Sequence, residues 1–386
     1  MHAIIRNICL FAAAALTMPA IAAAEDRLSP DGENSWSLVI HGGAGTISRD
    51  RITAEKDAEI RAKLTEALEA GEAVLAKGGT ATDGVIAAIM VLEDDPNFNA
   101  GKGAVLTWDG DFSLDSSIME GNGRKAGSAA GTSGTKNPIL LARAVMDKSR
   151  HVLLSGQGAD AFARAQGLEQ VEQEYFTTPS RVRALEGFKR RMNKTADASR
   201  VDASGKDQLG RDFRFGTVGA VALDKAGNIA AGTSTGGMTG KRWGRIGDSP
   251  IIGAGTYADN RSCGISATGA GEYFIRVGVA QEFCTRVRLR FREMIKEAQA
   301  TVAVDTDGVP EYYIHASEFL FPAEEVQKIA DEVMAEMGAL GGSGGVIYIT
   351  PWGHTGYSFD TPGMYRGTSH SNGTKSVAIY GDETGG

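Results

Sequence analysis

Blocks of apolar and polar positions divide the chain into elements of two periods. Leu38-Val39-Ile40 is a short apolar run that ends at His41-Gly42-Gly43-Ala44-Gly45, which predicts a buried strand opening into a tight loop. Ile60, Leu64, Leu68, Gly71 and Leu75 then recur at helical spacing, with Gly78-Gly79 as the stop. Residues 83–92 are apolar nearly all round, as in a helix buried between layers, and Pro96 closes that stretch. Short strands are expected at Ala104-Val105-Leu106, Phe112-Ser113-Leu114 and residues 126–130. Asn137-Pro138 supplies a cap and a first-turn proline for a helix over 139–146.

From residue 177 the pattern dissolves. Basic residues (Arg181, Arg183, Lys189, Arg190, Arg191, Lys194) lead into a polar tract at 203–208, so 177–216 reads as a flexible linker. Two apolar runs, 217–223 and 228–235, flank Asp224-Lys225-Ala226-Gly227 and predict a hairpin whose first strand starts at Thr217. Further strands are expected at 251–255 and 263–267, helices at 272–302 and 323–337, and closing strands at 346–349 and 376–380. Helices precede and follow the strand runs rather than alternating with them, which favours stacked antiparallel sheets between helices.

Composition then limits the class. A chain of 386 residues with 42% hydrophobic positions has material for a full core. Residues 1–24 carry Arg6, an apolar stretch from Ile8 to Leu16 and Ala22-Ala23-Ala24 before Glu25, the pattern of an export signal shorter than a membrane span. Its removal takes away one cation and no acid, so the formal charge of −8 becomes −9. That acidic balance argues against nucleic acid as a partner, and a periplasmic or secreted location is expected, with no membrane contact after signal removal. Cys9 leaves with the signal. Whether Cys263 and Cys284 pair is left open by the sequence.

Several motifs have a bland reading. Gly232-Thr233-Ser234-Thr235-Gly236 and Gly341-Gly342-Ser343-Gly344-Gly345 match a nucleophile elbow, but neither passes from strand into helix. Gly156-Gln157-Gly158 mimics a dinucleotide fingerprint without the second strand that should follow. The six histidines lack metal-ligand spacing, and His41 reads as a loop or core residue. No organic cofactor is called for.

The sharpest chemical signal is Gly216-Thr217. A threonine at a new chain terminus would carry an α-amine of pKa about 7.7–8.0 beside its own hydroxyl, and so bring both nucleophile and base. Arg245 and Asp248, in Gly244-Arg245-Ile246-Gly247-Asp248-Ser249-Pro250, are either a surface ion pair or a clamp for the carboxylate and ammonium of an amino acid. Ala267-Thr268-Gly269-Ala270-Gly271 ends a strand before a helix, a junction that suits an oxyanion and equally a plain turn.

Taken in order, His41-Gly42-Gly43-Ala44-Gly45, Phe98-Asn99-Ala100-Gly101, residues 216–221, the dense stretch 232–260 and Gly363-Met364-Tyr365-Arg366 resemble the plant-type asparaginase and isoaspartyl peptidase family of N-terminal-nucleophile hydrolases. The resemblance implies an α+β, four-layer αββα sandwich and self-cleavage into chains 25–216 and 217–386 that together form one catalytic domain. Thr217 would be the nucleophile, oriented by Thr235, with Thr268 and Gly269 as the oxyanion hole. Arg245, Ile246, Gly247, Asp248, Thr268, Gly269, Ala270, Gly271 and Asn99 would line the substrate site. The main-chain oxygens of Leu92, Glu93, Asp95, Phe98, Ala100 and Lys102 are expected to hold a structural sodium ion. Asparagine and β-aspartyl peptides are the implied small-molecule substrates, and a dimer of cleaved protomers the implied assembly. Departures fall at residues 284–322, which look longer than the family's connection, at Lys102 and at Thr361-Pro362-Gly363. A glycosylasparaginase-like hydrolase is the near alternative, disfavoured by Gly236-Gly237, and an exported solute-binding protein the alternative of a different class.

Overall fold

The computed structural model describes residues 35–196, 216–300 and 320–383. The expected export segment 1–24, residues 197–215 of the expected linker and residues 301–319 of the long connection lie outside the described residues.

Strand β1 (Ser37–Gly45) is followed by helices α1 (Ala54–Ala76) and α2 (Ala81–Glu93), each started by a threonine whose hydroxyl accepts a first-turn amide. The predicted stripe on α1 is its buried face. Gly71 lets it approach, since a Cβ there would lie 2.6 Å from Leu38 and 3.0 Å from the Gly84 carbonyl of α2. Strands β2 (Leu114–Glu120) and β3 (Ala126–Thr132), helix α3 (Pro138–Lys148), strand β4 (Leu153–Ser155) and helices α4 (Gly156–Ala165), α5 (Gln173–Phe176) and α6 (Pro179–Ala196) complete the part before Gly216. The hairpin β5 (Val218–Leu223) and β6 (Ile229–Thr235) comes next, then β7 (Thr256–Asp259), β8 (Cys263–Gly269), α7 (Gly271–Val277), α8 (Val279–Ala300), α9 (Ala323–Ala339) and β9 to β12 (Gly344–Ile349, Thr355–Phe359, Gly363–His370, Lys375–Tyr380).

The strands form an eight-stranded sheet ordered β12-β11-β1-β5-β6-β2-β3-β4 and a four-stranded sheet ordered β10-β9-β8-β7. All pairs are antiparallel except β3 with β4. Side chains alternate across the large sheet. Leu38, Ile40, Val218, Ala220 and Ala222 face α1 and α2, whereas Val39, Val221 and Ala231 face Ile265, Ala267 and Ile347 of the small sheet. Helices α8 and α9 cover the far side of the small sheet with Phe283, Val287, Val326 and Val333. The result is the four-layer αββα sandwich that the resemblance implied. No described helix is long and apolar enough to cross a membrane.

Several expectations need correction. The first half of the linker is α6, because Val182, Leu185 and Phe188 form a sparse apolar stripe. Leu185 packs with Leu106, Phe112 and Phe176, and Phe188 against Trp108. The His41-Gly42-Gly43-Ala44-Gly45 run stays within β1, with a register shift between His41 and Gly43. Residues 104–106 are a buried extended loop rather than a strand, and 251–255 offer only one bridge, Ile252 to Thr256. The long helix from 272 breaks at Gly278, whose φ of +68° ends α7. A disulfide joins Cys263 on β8 to Cys284 on α8 with Cα atoms 5.3 Å apart, which answers the pairing question.

Candidate active site

The hairpin register builds the centre of the site. Val218 pairs with Ser234, so Thr217 and Thr235 stand opposite each other at the open end of β5 and β6. The Thr217 hydroxyl donates to Thr235 Oγ1 at 3.0 Å, and the Gly237 amide donates to the same oxygen at 3.0 Å. Thr217 is buried. Gly237 holds a left-handed φ of +78° to aim that amide.

Asn99 is fully buried and pinned on every side. Its amide donates to the Gly216 carbonyl at 3.0 Å, and its own carbonyl accepts from Gly236. Its side chain donates to the Gly237 carbonyl at 2.7 Å and accepts from the Val105 amide at 2.9 Å. A Cβ on Gly216 would meet Asn99 Cβ at 2.8 Å, so only glycine fits before Thr217. The sequence marked Asn99 only by resemblance, and its backbone contact left no signal there.

Below the nucleophile lies His41. Its Nδ1–H donates to the Thr217 carbonyl at 2.9 Å, and its Nε2 accepts from the Ser266 hydroxyl at 2.9 Å. Burial pushes its pKa down to about 3, against a smaller upward pull from the Thr217 carbonyl, so the ring is neutral at ordinary pH. Hydroxyl contacts continue from Ser266 to Thr233, Thr256 and Ser117, ending on the Ser249 carbonyl beside Asp248. Gly219 makes room for this chain, since a Cβ there would fall 2.0 Å from Ser266 Oγ. Thr268 lies two residues beyond Ser266 on the same face of β8, and its buried Oγ1 has no hydrogen-bond partner.

Arg245 and Asp248 are brought together, but not as a mutual surface pair. The Arg245 guanidinium makes a bidentate contact to Glu272 through Nε and Nη2 at 2.9 and 3.0 Å. This occupies one edge of the fork and leaves the Nη1–Nη2 edge toward Gly247, where a Cβ would lie 2.8 Å from Nη1. At Gly271 a Cβ would sit 2.6 Å from Asp248 Oδ1 and 3.1 Å from Arg245 Nη2, so that glycine keeps open the hollow between the two charges. Asp248 is buried, its Oδ2 has no partner, and burial pushes its pKa up to about 7 despite the nearby Arg245. An orphaned carboxylate oxygen beside a free guanidinium edge suits a ligand that carries both an ammonium and a carboxylate. Ile246 is on the exposed side of this loop, and Ala270 starts α7 behind it. The sequence read Glu272 only as the first residue of a helix.

The expected cation loop follows α2. Gly101, with φ +49°, packs against the Glu93 carbonyl oxygen, and Gly103 against those of Phe98 and Pro96, where Cβ atoms would fall 2.4, 2.0 and 2.8 Å away. The Leu92 carbonyl accepts from the amides of Asp94 and Asp95, and that of Ala100 from Gly103. The Lys102 ammonium is turned to the Tyr175 ring, 5.6 Å from its centroid, and the Asp95 side chain accepts from the Asn97 amide. Among the described residues no His, Cys, Asp and Glu cluster is arranged for a metal ion. Main-chain carbonyls are the hard oxygen ligands that the expected ion would need, and those of Leu92 and Ala100 already accept backbone amides. Buried Glu93 instead accepts from the Ser234 hydroxyl and the Ile139 amide, and burial raises its pKa to about 8.

Neither elbow-like serine is a nucleophile. Ser234 is spent on Glu93, Ser343 donates to Asp360, and the His354 ring is engaged by the Phe321 carbonyl. Lys241, passed over in the sequence, is buried with its ammonium on the Ser113 carbonyl and 3.5 Å from Asp115.

A threonine behind a pinned glycine, at the head of a central strand in an αββα sandwich, defines an N-terminal-nucleophile hydrolase. A family profile described as asparaginase matches residues 34–311. The chain belongs to that family. It is 40% identical over 347 residues to the isoaspartyl peptidase of Salmonella typhimurium, covering 90% of this chain and 99% of the relative. It is also 40% identical to the isoaspartyl peptidase of Escherichia coli, covering 89% of this chain and 95% of the relative. A probable isoaspartyl peptidase/L-asparaginase of Arabidopsis thaliana is 37% identical, with 89% of this chain and 99% of the relative covered.

Proposed function

We propose that the chain is a precursor that cuts itself between Gly216 and Thr217 and then hydrolyses L-asparagine and β-aspartyl peptides. The observation that carries this reading is the Thr217 hydroxyl paired with Thr235 while the Gly216 carbonyl is held by the Asn99 amide. Thr217 Oγ attacks the Gly216 carbonyl carbon and the acyl group passes from nitrogen to oxygen, which frees the Thr217 amine; water then hydrolyses the ester, releasing the Gly216 carboxylate and restoring the Thr217 hydroxyl. That amine then takes the hydroxyl proton in each turnover. The substrate's α-carboxylate meets the free edge of Arg245 and its ammonium the orphaned Asp248 oxygen, which leaves the amide carbon facing Thr217. Thr268 and Gly269 stabilise the oxyanion. Ammonia or an amino acid leaves, and water releases aspartate from the β-aspartyl enzyme.

Export of residues 25–386 is supported by the composition of residues 1–24 and by the Cys263–Cys284 disulfide, a bond that persists in oxidising compartments such as the periplasm. A sodium ion in the 92–102 loop rests on resemblance; there it would bind through main-chain oxygens and brace Asn99. A dimer of cleaved protomers rests on resemblance. Against a glycosylasparaginase-like site, Gly236 has no room for a side chain, because a Cβ would meet Asn99 Oδ1 at 2.6 Å and Ala104 Cβ at 2.8 Å.

The test is the intact mass of purified protein and of Thr217→Ala. The parent should give two chains, the second starting Thr-Val-Gly-Ala, and release ammonia from asparagine. The variant should stay uncut and inactive. An active, uncut parent would refute the mechanism, and an uncut parent that binds solutes without turnover would favour a solute-binding protein.

A further inference from the structure

The described surface leaves eight large hydrophobic side chains exposed, and three of them lie within three residues of one member of the Arg245–Glu272 ion pair. Trp243 and Ile246 flank Arg245 in sequence, and Ile275 lies three residues beyond Glu272, on the same face of α7. Trp243 is 95% exposed and held at φ +56°, in the left-handed region that bulky residues rarely adopt. Such a conformation without packing marks a residue kept for contact with something else. Two cations stand beside this rim. The Arg242 guanidinium lies 3.3 Å from the Trp108 ring centroid and 5.9 Å from that of Trp243, and that of Arg276 lies 5.4 Å over Tyr273.

We propose that Trp243, Ile246 and Ile275 form the subsite for the amino acid released from a β-aspartyl peptide, and that they set a preference for apolar and aromatic leaving residues. The inference rests on the hydrolase reading above. Arg245 and Asp248 fix the aspartyl end of the substrate inside the pocket. Asp248 is buried while Glu272 opens to solvent, so the ion pair marks the solvent side of the site. The leaving residue extends toward that side, its side chain meeting the indole and the isoleucines and its carboxylate the Arg242 and Arg276 cations. Asparagine releases only ammonia and cannot touch the rim. It is therefore an internal control.

The experiment compares kcat/KM of the processed enzyme and of Trp243→Gly for β-Asp-Phe, β-Asp-Leu, β-Asp-Gly and asparagine. Glycine tolerates the left-handed turn, so the loop keeps its shape. Loss of the indole should lower kcat/KM about tenfold for the Phe and Leu peptides, the scale of discrimination by apolar contact, and leave β-Asp-Gly and asparagine within about twofold. Equal losses on all four substrates would make Trp243 structural and overturn the proposal, as would no loss on any. A shift from dimer to monomer in size exclusion would assign the rim to an interface between copies instead. A parent chain that stays uncut and inactive on asparagine removes the underlying reading and this proposal with it. An active parent whose Trp243→Gly variant shows no peptide-specific loss removes this proposal alone.

Discussion

Replacing Gly216 by alanine places a methyl group 2.8 Å from Asn99 Cβ and 3.2 Å from Asn99 N. Asn99 cannot retreat, because its side chain and both backbone groups are committed to Gly237, Val105, Gly236 and Gly216. Residue 216 must move instead, by about 0.6 Å if the contact is to reach an ordinary 3.4 Å. The 3.0 Å bond from the Asn99 amide to the 216 carbonyl then stretches to about 3.6 Å, outside hydrogen-bond range. That amide is the donor on the carbonyl that becomes an oxyanion during self-cleavage, and loss of one such donor typically slows a reaction by about 100- to 1000-fold. Cleavage of Gly216→Ala, followed by gel and intact mass over days, should be slower by that factor. Once cut, residue 216 is only a chain end, so turnover per cleaved molecule should match the parent. A variant that matures at the parental rate would refute the role assigned to Asn99. One that matures slowly but also turns over slowly would show a damaged site instead.

Four further outcomes are expected. Glu272→Gln weakens the brace on Arg245 and should raise KM for asparagine several-fold with kcat nearly unchanged in steady-state assays. Asp248 must be ionised to receive an ammonium, so KM for asparagine should fall as pH rises through about 7, and that dependence should vanish in Asp248→Asn. The linked effect on folding has the opposite sign. With a folded pKa raised to about 7 from 3.8, protonated Asp248 favours the fold at low pH, and its contribution is lost as pH rises across that window, which urea titrations of the parent and Asp248→Asn would reveal. His41→Ala orphans the Thr217 carbonyl and leaves the Ser266 hydroxyl with Thr233 alone, and should cost about 1–3 kcal/mol in urea unfolding.

Where apolar residues keep one period over many positions, the sequence was readable: α1, α2, α9 and the β5–β6 hairpin fall close to their predicted places. The hairpin matters most, since its register alone sets Thr235 opposite Thr217. Reading failed where burial is sparse or borrowed. In α6 the stripe of Val182, Leu185 and Phe188 is hidden among basic residues, and the mixed polar runs of β10 and β11 gave no alternation to follow. Residues 104–106 look like a strand because they are buried, yet an asparagine side chain rather than a neighbouring strand takes the Val105 amide. At the site, the sequence singled out Thr217, Arg245, Asp248 and Thr268. It gave His41 only a loop or core place and Glu272 only a helix start, although His41 meets Thr217 across 176 positions of chain and the partner of Glu272 is 27 away. Contacts at such range leave no spacing in one sequence.

The order of the large sheet bears on what the proposed cut before Thr217 would leave behind. Strand β1 comes from the part before Thr217 and lies between β11 and β5 from the part after it, while β6 is bonded to β2 of the first part. The two parts are interleaved like the fingers of folded hands, so severing that one peptide bond would free neither. Heat or denaturant that finally parts them produces two separate molecules, so recovery becomes a bimolecular search and should depend on protein concentration, as that of the uncut chain does not.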